Sequence, residues 1–402
     1  MRILPAWGMD YFDYQATTPC DPQVVEAMAP YWTQEFGNPH SPHAFGVRAA
    51  TALEAARQQI AKIMGGKAQD YIFTSGATEA NGLAILGVMG AASPKKRHII
   101  TCATEHKSVL ETCLSLARQG YTVTVLPVDR KGHLSLELLK QSIRADTCLV
   151  SLMTANNEIG LIHPIAEILK ICHDRGVWLH TDATQAVGFL PPRAFRADLV
   201  SFSGHKIYGP KGVGVLYVAP HIKIRPLIYG GVQEQGKRPG TPPVPLCVGM
   251  AKALVLAEEH REQEKRRLAQ LQELFLGELR ALSGWQLNGG RKDRLPNNIN
   301  VSIEGVDRED LLAALPEFAL SSGSACNTEE HFSHVLEALD PEEKNPPAAL
   351  RIGFGRGTTE EAVRRLVSQI ITAVQQLRVA KPSGGKRACA TQKGTLRSSR
   401  KS

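Results

Sequence analysis

Seven short apolar runs between residues 70 and 220 constrain this chain more than any other feature. They read YIFT, HIITC, YTVTVLPV, TCLVSLMT, VWLHTDA, LVSFSG and GVGVLYV, with helix-length amphipathic stretches between them. Runs this short, rich in β-branched and aromatic residues, predict strands. Strands that alternate with helices bury both faces of a mostly parallel, seven-stranded sheet, so the expected class is α/β. The helical part of the pattern is clear over Glu105 to Arg118. There Val109, Leu110, Cys113, Leu114 and Ala117 recur at helical spacing and Gly120 closes the segment.

Past residue 245 the pattern changes. A charged stretch near Val248 to Leu282, including EEHREQEKRR, predicts one long helix. Strand-like INVSI, then DLLAALP and strand-like ALRIGFG, precede a last helix over Thr359 to Leu377, capped by Thr358 or Thr359. This part reads as a smaller α+β domain, and the Gly/Pro-rich stretch 230–246 separates it from the first. The expected division is an N-terminal segment 1–16 associated with the small domain, a large domain 17–255, a small domain 256–380 and a tail 381–402. No internal repeat is apparent.

Composition narrows the class further. At 402 residues and 43% apolar content the chain has ample material for a core. No run reaches the roughly 18 apolar residues of a membrane span, and MRILPAWGMD is too short and too weakly apolar for a secretory signal. A cytoplasmic protein is therefore expected. The interpretable pattern begins at Tyr11, which leaves Met9 as a second candidate start. Eight scattered cysteines form no C-x-x-C pair, so they predict small buried side chains rather than a disulfide framework. Of the net charge of +8, residues 381–402 carry seven cations and no acid, which leaves +1 for the body. That Ser/Gly/Lys-rich tail is expected to be a disordered, solvated extension or a docking arm for nucleic acid or an acidic partner.

Three motifs carry chemistry. TSGATEAN (74–81) follows a strand and opens a helix, and Gly76, Ala77 and Thr78 stand where backbone N–H groups and a hydroxyl receive an anion. A tight strand-to-helix turn explains the same residues without a ligand. HTDATQ (180–185) ends a strand, which puts Asp182 where open α/β sheets bind ligands; Asp182 as a helix cap is the competing explanation. SFSGHKIYGPKG (201–212) sets Lys206 between apolar strands beside Ser203 and His205, a setting that suits a nucleophilic amine as well as a plain turn.

In this order and spacing the motifs resemble the cysteine desulfurase family, fold-type I enzymes that use pyridoxal 5′-phosphate (PLP), in its NifS/IscS-like branch. Further strings carry the likeness: YFDYQATTP, GNPHS, TEHKSVL, NNEIG, GGVQEQGKRPGT, SSGSACNT and RIGFGRGTTEE. It extends over about residues 11 to 378. The resemblance implies conversion of L-cysteine to L-alanine, with sulfur held as a persulfide on Cys326 and passed to an acceptor such as an iron–sulfur scaffold or a thio-modification enzyme. It implies that Lys206 holds the cofactor as an imine and moves the Cα proton. Asp182 keeps the ring nitrogen protonated, and His106 stacks on the ring and takes part in proton transfer. Asn157 and Gln185 hold the cofactor's edge. Gly76, Ala77, Thr78, Ser203 and His205 bind its phosphate, and Thr241 binds that of the neighbouring subunit in a homodimer. Arg351, a planar fork, receives the substrate carboxylate, with Asn157 beside it.

Alternatives stay open. A selenocysteine lyase shares all of these features and needs Cys326 less. A dedicated sulfur donor for DNA phosphorothioation, associated with nucleic acid through its tail, is a second reading, and an aminotransferase, with no use for Cys326, is a third. The residues after the cysteine, NTEEHFSH, depart from the family's usual small and polar continuation. Cys326, His331 and His334 have the spacing of half a metal site, but no second cluster completes it and no metal is expected.

Overall fold

The computed structural model describes residues 8–321, 333–343 and 347–380. Cys326 and the basic tail lie outside the described residues. All seven expected strands form: β1 (Tyr71–Thr74), β2 (His98–Cys102), β3 (Thr122–Leu126), β4 (Thr147–Ser151), β5 (Trp178–Asp182), β6 (Leu199–Ser203) and β7 (Gly214–Val218). They make one sheet in the order β1-β7-β6-β5-β4-β2-β3. Only β7 runs against the others, paired antiparallel to β6 and β1.

Period-two alternation assigns each strand's side chains to one of two cores. Tyr71, Phe73, Ile100, Val150, Val200 and Phe202 point to one face. There they meet α1 (Ala44–Met64), α4 (Ile165–His173) and the first half of α5 (Val244–Leu279). Ile72, Ile99, Leu149, Leu199 and Leu216 point to the other, against α2 (Ala77–Ala91) and α3 (Lys107–Arg118). Both faces are covered, as a parallel sheet requires.

A second, antiparallel sheet follows in the order β10-β9-β8, from β8 (Trp285–Leu287), β9 (Asn298–Ile303) and β10 (Ala348–Gly353). It packs on the second half of α5, through Leu268, Leu271, Phe275 and Leu279, and on α7 (Glu360–Ala380), through Val363, Leu366 and Ile370. A short helix, α6 (His334–Leu339), lies between them in sequence. The N-terminal segment joins this second core. Asp10–Tyr11 pairs in parallel with Phe318–Ala319, and Phe12 sits against Phe318 and Phe354 at centroid distances of 6.0 and 6.1 Å.

Helix ends differ from the sequence expectation for local reasons. α5 starts at Val244 rather than near Val248, because Pro245 sits in the first turn, where its missing N–H costs nothing. It is one continuous helix, so residue 255 falls inside it. α3 starts at Lys107 because His106 caps it, accepting from the Ser108 amide. α7 starts at Glu360, with Thr359 Oγ1 accepting from the Ala362 amide at 3.2 Å. Among the described residues no helix is long and apolar enough to cross a membrane.

The β1–β7 pairing brings two glycines together. A Cβ on Gly214 would lie 2.5 Å from the carbonyl carbon of Gly76. Gly214→Ala is therefore expected to lower stability by about 1–3 kcal/mol, the usual cost of overpacking against atoms that cannot yield. Denaturant titration of the variant against the parent protein checks this.

Candidate active site

A cavity of about 540 Å³ opens at the carboxyl ends of β1, β2, β4, β5 and β6 and is closed on one side by the segment 15–17. In an open α/β sheet these ends are where backbone and side chains leave the core and become free to meet a ligand. Gly76, Ala77, Thr78, His106, Asn157, Asp182, Gln185, Ser203, His205, Lys206 and Arg351 all line it.

Asp182 ends β5 and is buried. Its carboxylate accepts from Asn81 Nδ2 at 2.8 Å and from the Thr184 amide at 2.9 Å. The expected rival role, a helix cap, is not what the structure shows: the Thr184 bond closes a local turn and the Asn81 bond comes from α2. Asn81 lies one turn along α2 from Thr78, on the same face.

At the head of α2, Gly76 to Thr78 form the first turn. The amides of such a turn lack acceptors inside the helix and carry the positive end of its dipole. Glu79 Oε2 takes the preceding amide, that of Ser75, at 2.6 Å. Ser203 ends β6, and a Cβ built on Gly76 would face its hydroxyl 4.0 Å away. His205 and Lys206 follow in a single 3-10 turn. Tyr208 after them is left-handed, at φ 63°, an unfavourable state for an aromatic residue. It is held by its amide donating to Thr18 Oγ1 at 2.9 Å and by its hydroxyl accepting from the Arg356 amide at 2.7 Å. Lys206 Nζ donates to the carbonyls of Gln15 and Ala16, the latter at 2.9 Å.

His106 Nδ1 accepts from the Ser108 amide at 3.1 Å, which puts the proton of the neutral ring on Nε2. Burial holds its pKa below the usual imidazole value, with Lys206 and His334 adding to the effect against the pull of Asp182. Burial, with Lys206 and Lys211, pushes His205 down to about 4. Both rings are therefore neutral at pH 7. Gln185 Nε2 donates to the Gln15 carbonyl at 3.2 Å. The Asn157 carbonyl accepts from Asn298 Nδ2 at 3.4 Å.

Arg351 reaches the cavity from β10 and is 2% exposed. Its Nη2 donates to Asp13 at 2.8 Å, while its buried Nε has no partner among the described residues. Thr241 is exposed and does not line the cavity. Cys326 lies outside the described residues. Gln15, Ala16, Asn81 and Ser108 join the site without having been expected there from the sequence. Asn81 had a usable signal in its helical spacing from Thr78. The carbonyls that receive Lys206 had none, because backbone acceptors leave no mark in a sequence.

The sequence profile of the aminotransferase class-V family matches residues 10–366. The cysteine desulfurase IscS of Rickettsia rickettsii (strain Iowa) is 46% identical over 379 residues, covering 92% of each chain. The human cysteine desulfurase is 46% identical over 92% of this chain and 83% of its own. A solved NifS-like protein superposes with a TM-score of 0.86 at 34% identity, covering 92% of this chain and 100% of the other. The chain belongs to the cysteine desulfurases of the aminotransferase class-V family.

Desulfurases of this family work with pyridoxal phosphate, and the residues here fit it. A phosphate needs amide donors and hydroxyls, which α2 and Ser203 offer. A protonated ring nitrogen needs a fixed carboxylate, which Asp182 offers. An aldehyde needs an amine, and Lys206 enters the same cavity. Thr184 Oγ1 is buried beside Asp182 with no partner among the described residues, a donor in keeping with a ligand in this cavity.

Two further imidazoles set the pH response. His180, on β5, lies between the hydroxyls of Ser151 and Ser201 at 2.8 and 2.9 Å, and burial pushes its pKa down. Burial, with His133, pushes His163 down to about 4. In the unfolded chain these groups take up protons near ~6.5, so below that pH the unfolded state binds more protons than the folded one. These two imidazoles therefore lower stability as pH falls from about 6.5 towards 4, by on the order of a few kcal/mol. Urea unfolding at pH 5 and pH 8 measures the drop, and His163→Gln is expected to shrink it.

Proposed function

We propose that the cavity residues carry out the desulfurase reaction of the family in the following roles. Lys206, Asp182 and the first turn of α2 enter one cavity from three elements, and that convergence carries the reading. The first turn of α2, with Ser203 and His205, holds the cofactor's phosphate. Lys206 Nζ holds its aldehyde carbon. Asp182 keeps a proton on its ring nitrogen, while Gln185 and Asn157 hold its edge. Bound pyridoxal phosphate supplies an electron sink for the bond changes at the substrate's Cα.

L-Cysteine enters with its carboxylate on Arg351, whose Nε has no partner among the described residues and is a donor for it. Lys206 Nζ moves the Cα proton. His106, protonated at Nε2, stands at the cavity wall as the second proton carrier. Cys326 Sγ, as thiolate, attacks the substrate sulfur. The C–S bond breaks, alanine leaves, and the sulfur remains on Cys326 as a persulfide for an acceptor protein. Cys326→Ala is expected to abolish sulfide and alanine formation from L-cysteine. Persistent turnover of cysteine in that variant contradicts the mechanism, and turnover of selenocysteine alone favours the lyase reading.

Thr241, exposed and outside the lining of the cavity of its own chain, is assigned to the phosphate site of a second subunit. The nearby apolar side chains Ile228, Tyr229 and Val232 are 53%, 86% and 79% exposed, as a homodimer contact requires. A cytoplasmic location belongs to the same reading. The seven cations of residues 381–402 are assigned to contact with nucleic acid or another polyanion near the sulfur acceptor. Removing residues 381–402 is expected to abolish salt-sensitive retention on nucleic acid and leave sulfide release from L-cysteine unchanged. Equal retention at equal salt removes that assignment.

A further inference from the structure

The segment GGVQEQGKRPGT contains three successive left-handed residues, Glu234, Gln235 and Gly236, at φ 46°, 59° and 73°. Two of them carry a Cβ, which disfavours that conformation. A buried charge pair holds the turn in place. Arg57 Nη1 and Nη2 donate to the two oxygens of Glu234, each at 2.7 Å, and the Phe73 amide donates to the same carboxylate at 2.9 Å. Arg57 also donates to the Tyr71 carbonyl at 2.7 Å and lies over the Phe73 ring. The turn is therefore bolted to β1, the strand that leads into the first turn of α2.

Four residues beyond Glu234, Arg238 reaches back to that first turn. Its Nε donates to Glu79 Oε1 at 2.9 Å, and the other Glu79 oxygen accepts from the Ser75 amide. Glu79 lines the cavity beside Gly76, Ala77 and Thr78. A carboxylate there competes with a phosphate dianion for the positive end of the helix and repels it. Burial raises the pKa of Glu79, but Arg238 and the hydroxyl and amide of Ser75 more than offset it and hold it below the usual range. Glu79 is therefore ionised, and its charge must be balanced.

We propose that Arg238 is a positioning residue for the phosphate end of the cavity, where it neutralises Glu79 and keeps the first turn of α2 receptive to a dianion. Glu79 fixes the geometry of the turn through Ser75, and Arg238 removes the electrostatic cost of having a carboxylate do so. The Arg57–Glu234 pair holds Arg238 at that place. This rests on the reading that the cofactor's phosphate binds at the head of α2.

The test compares pyridoxal phosphate with pyridoxal, which lacks the phosphate, in equilibrium titrations of the full-length apoprotein followed by absorbance. The parent protein is expected to prefer the phosphorylated form strongly. Arg238→Gln is expected to weaken pyridoxal phosphate by about 10- to 100-fold, the range for one uncompensated charge near a dianion, and to leave pyridoxal within about 2-fold. Adding Glu79→Gln to that variant is expected to restore most of the loss, since the amide oxygen still accepts from Ser75. Glu79→Gln alone is expected to match or exceed the parent affinity.

If the parent protein binds both forms equally, the phosphate reading itself falls. If it discriminates but Arg238→Gln weakens both forms alike, or the second substitution restores nothing, the assignment of Arg238 falls and the phosphate reading stands. Should Arg238→Gln fail to fold, Glu79→Gln decides alone: weaker binding of pyridoxal phosphate in that variant overturns the proposal.

Discussion

The carboxylate of Asp182 is the constraint around which the site is arranged. A buried carboxylate is costly unless donors surround it. Here one donor comes from Asn81 on α2 and one from the amide of Thr184 in its own turn. The first ties the carboxylate to the helix whose N-terminus faces the same cavity, so the acid and the turn assigned to the phosphate are positioned by one rigid element. Ser203, His205 and Lys206 hang from β6, whose register with β5 is fixed at Asp182 opposite Ser201. The distance between the amine and the acid is thus set by the sheet rather than by a loop.

The smaller core contributes from the opposite side. Arg351 extends from β10, and Asp13, its partner, belongs to the N-terminal segment that packs through Phe12 into the same core. That segment continues to Gln15 and Ala16, whose carbonyls receive Lys206. One stretch of chain therefore touches both the amine assigned to the cofactor and the guanidinium assigned to the substrate, and ordering it orders both.

Much of this was legible in the sequence, for physical reasons. The strands of the large sheet announce themselves because each is short, apolar and followed by a turn. The motif residues fall at strand ends because a parallel sheet puts its chemistry there. Asn81 stands one turn from Thr78, a spacing that marks it for the same face, but a buried Asn in an apolar helix reads as a packing residue until its partner is known. The Arg57–Glu234 pair was hidden because its members are 177 residues apart. Thr241 was named from the family likeness alone, and the single chain leaves it outside its own cavity. The start of α5 was missed because a proline-rich stretch reads as a linker, although Pro245 is well placed in a first turn.

Two lysines, Lys206 and Lys211, line the cavity five residues apart, and the proposed chemistry requires the first to be the one that holds the cofactor. Borohydride reduction of the holoenzyme, followed by proteolysis and peptide mass mapping, makes the attachment permanent and locates it. A single phosphopyridoxyl adduct on Lys206 is expected. An adduct on Lys211, or none in a protein that retains its colour until reduction, contradicts it.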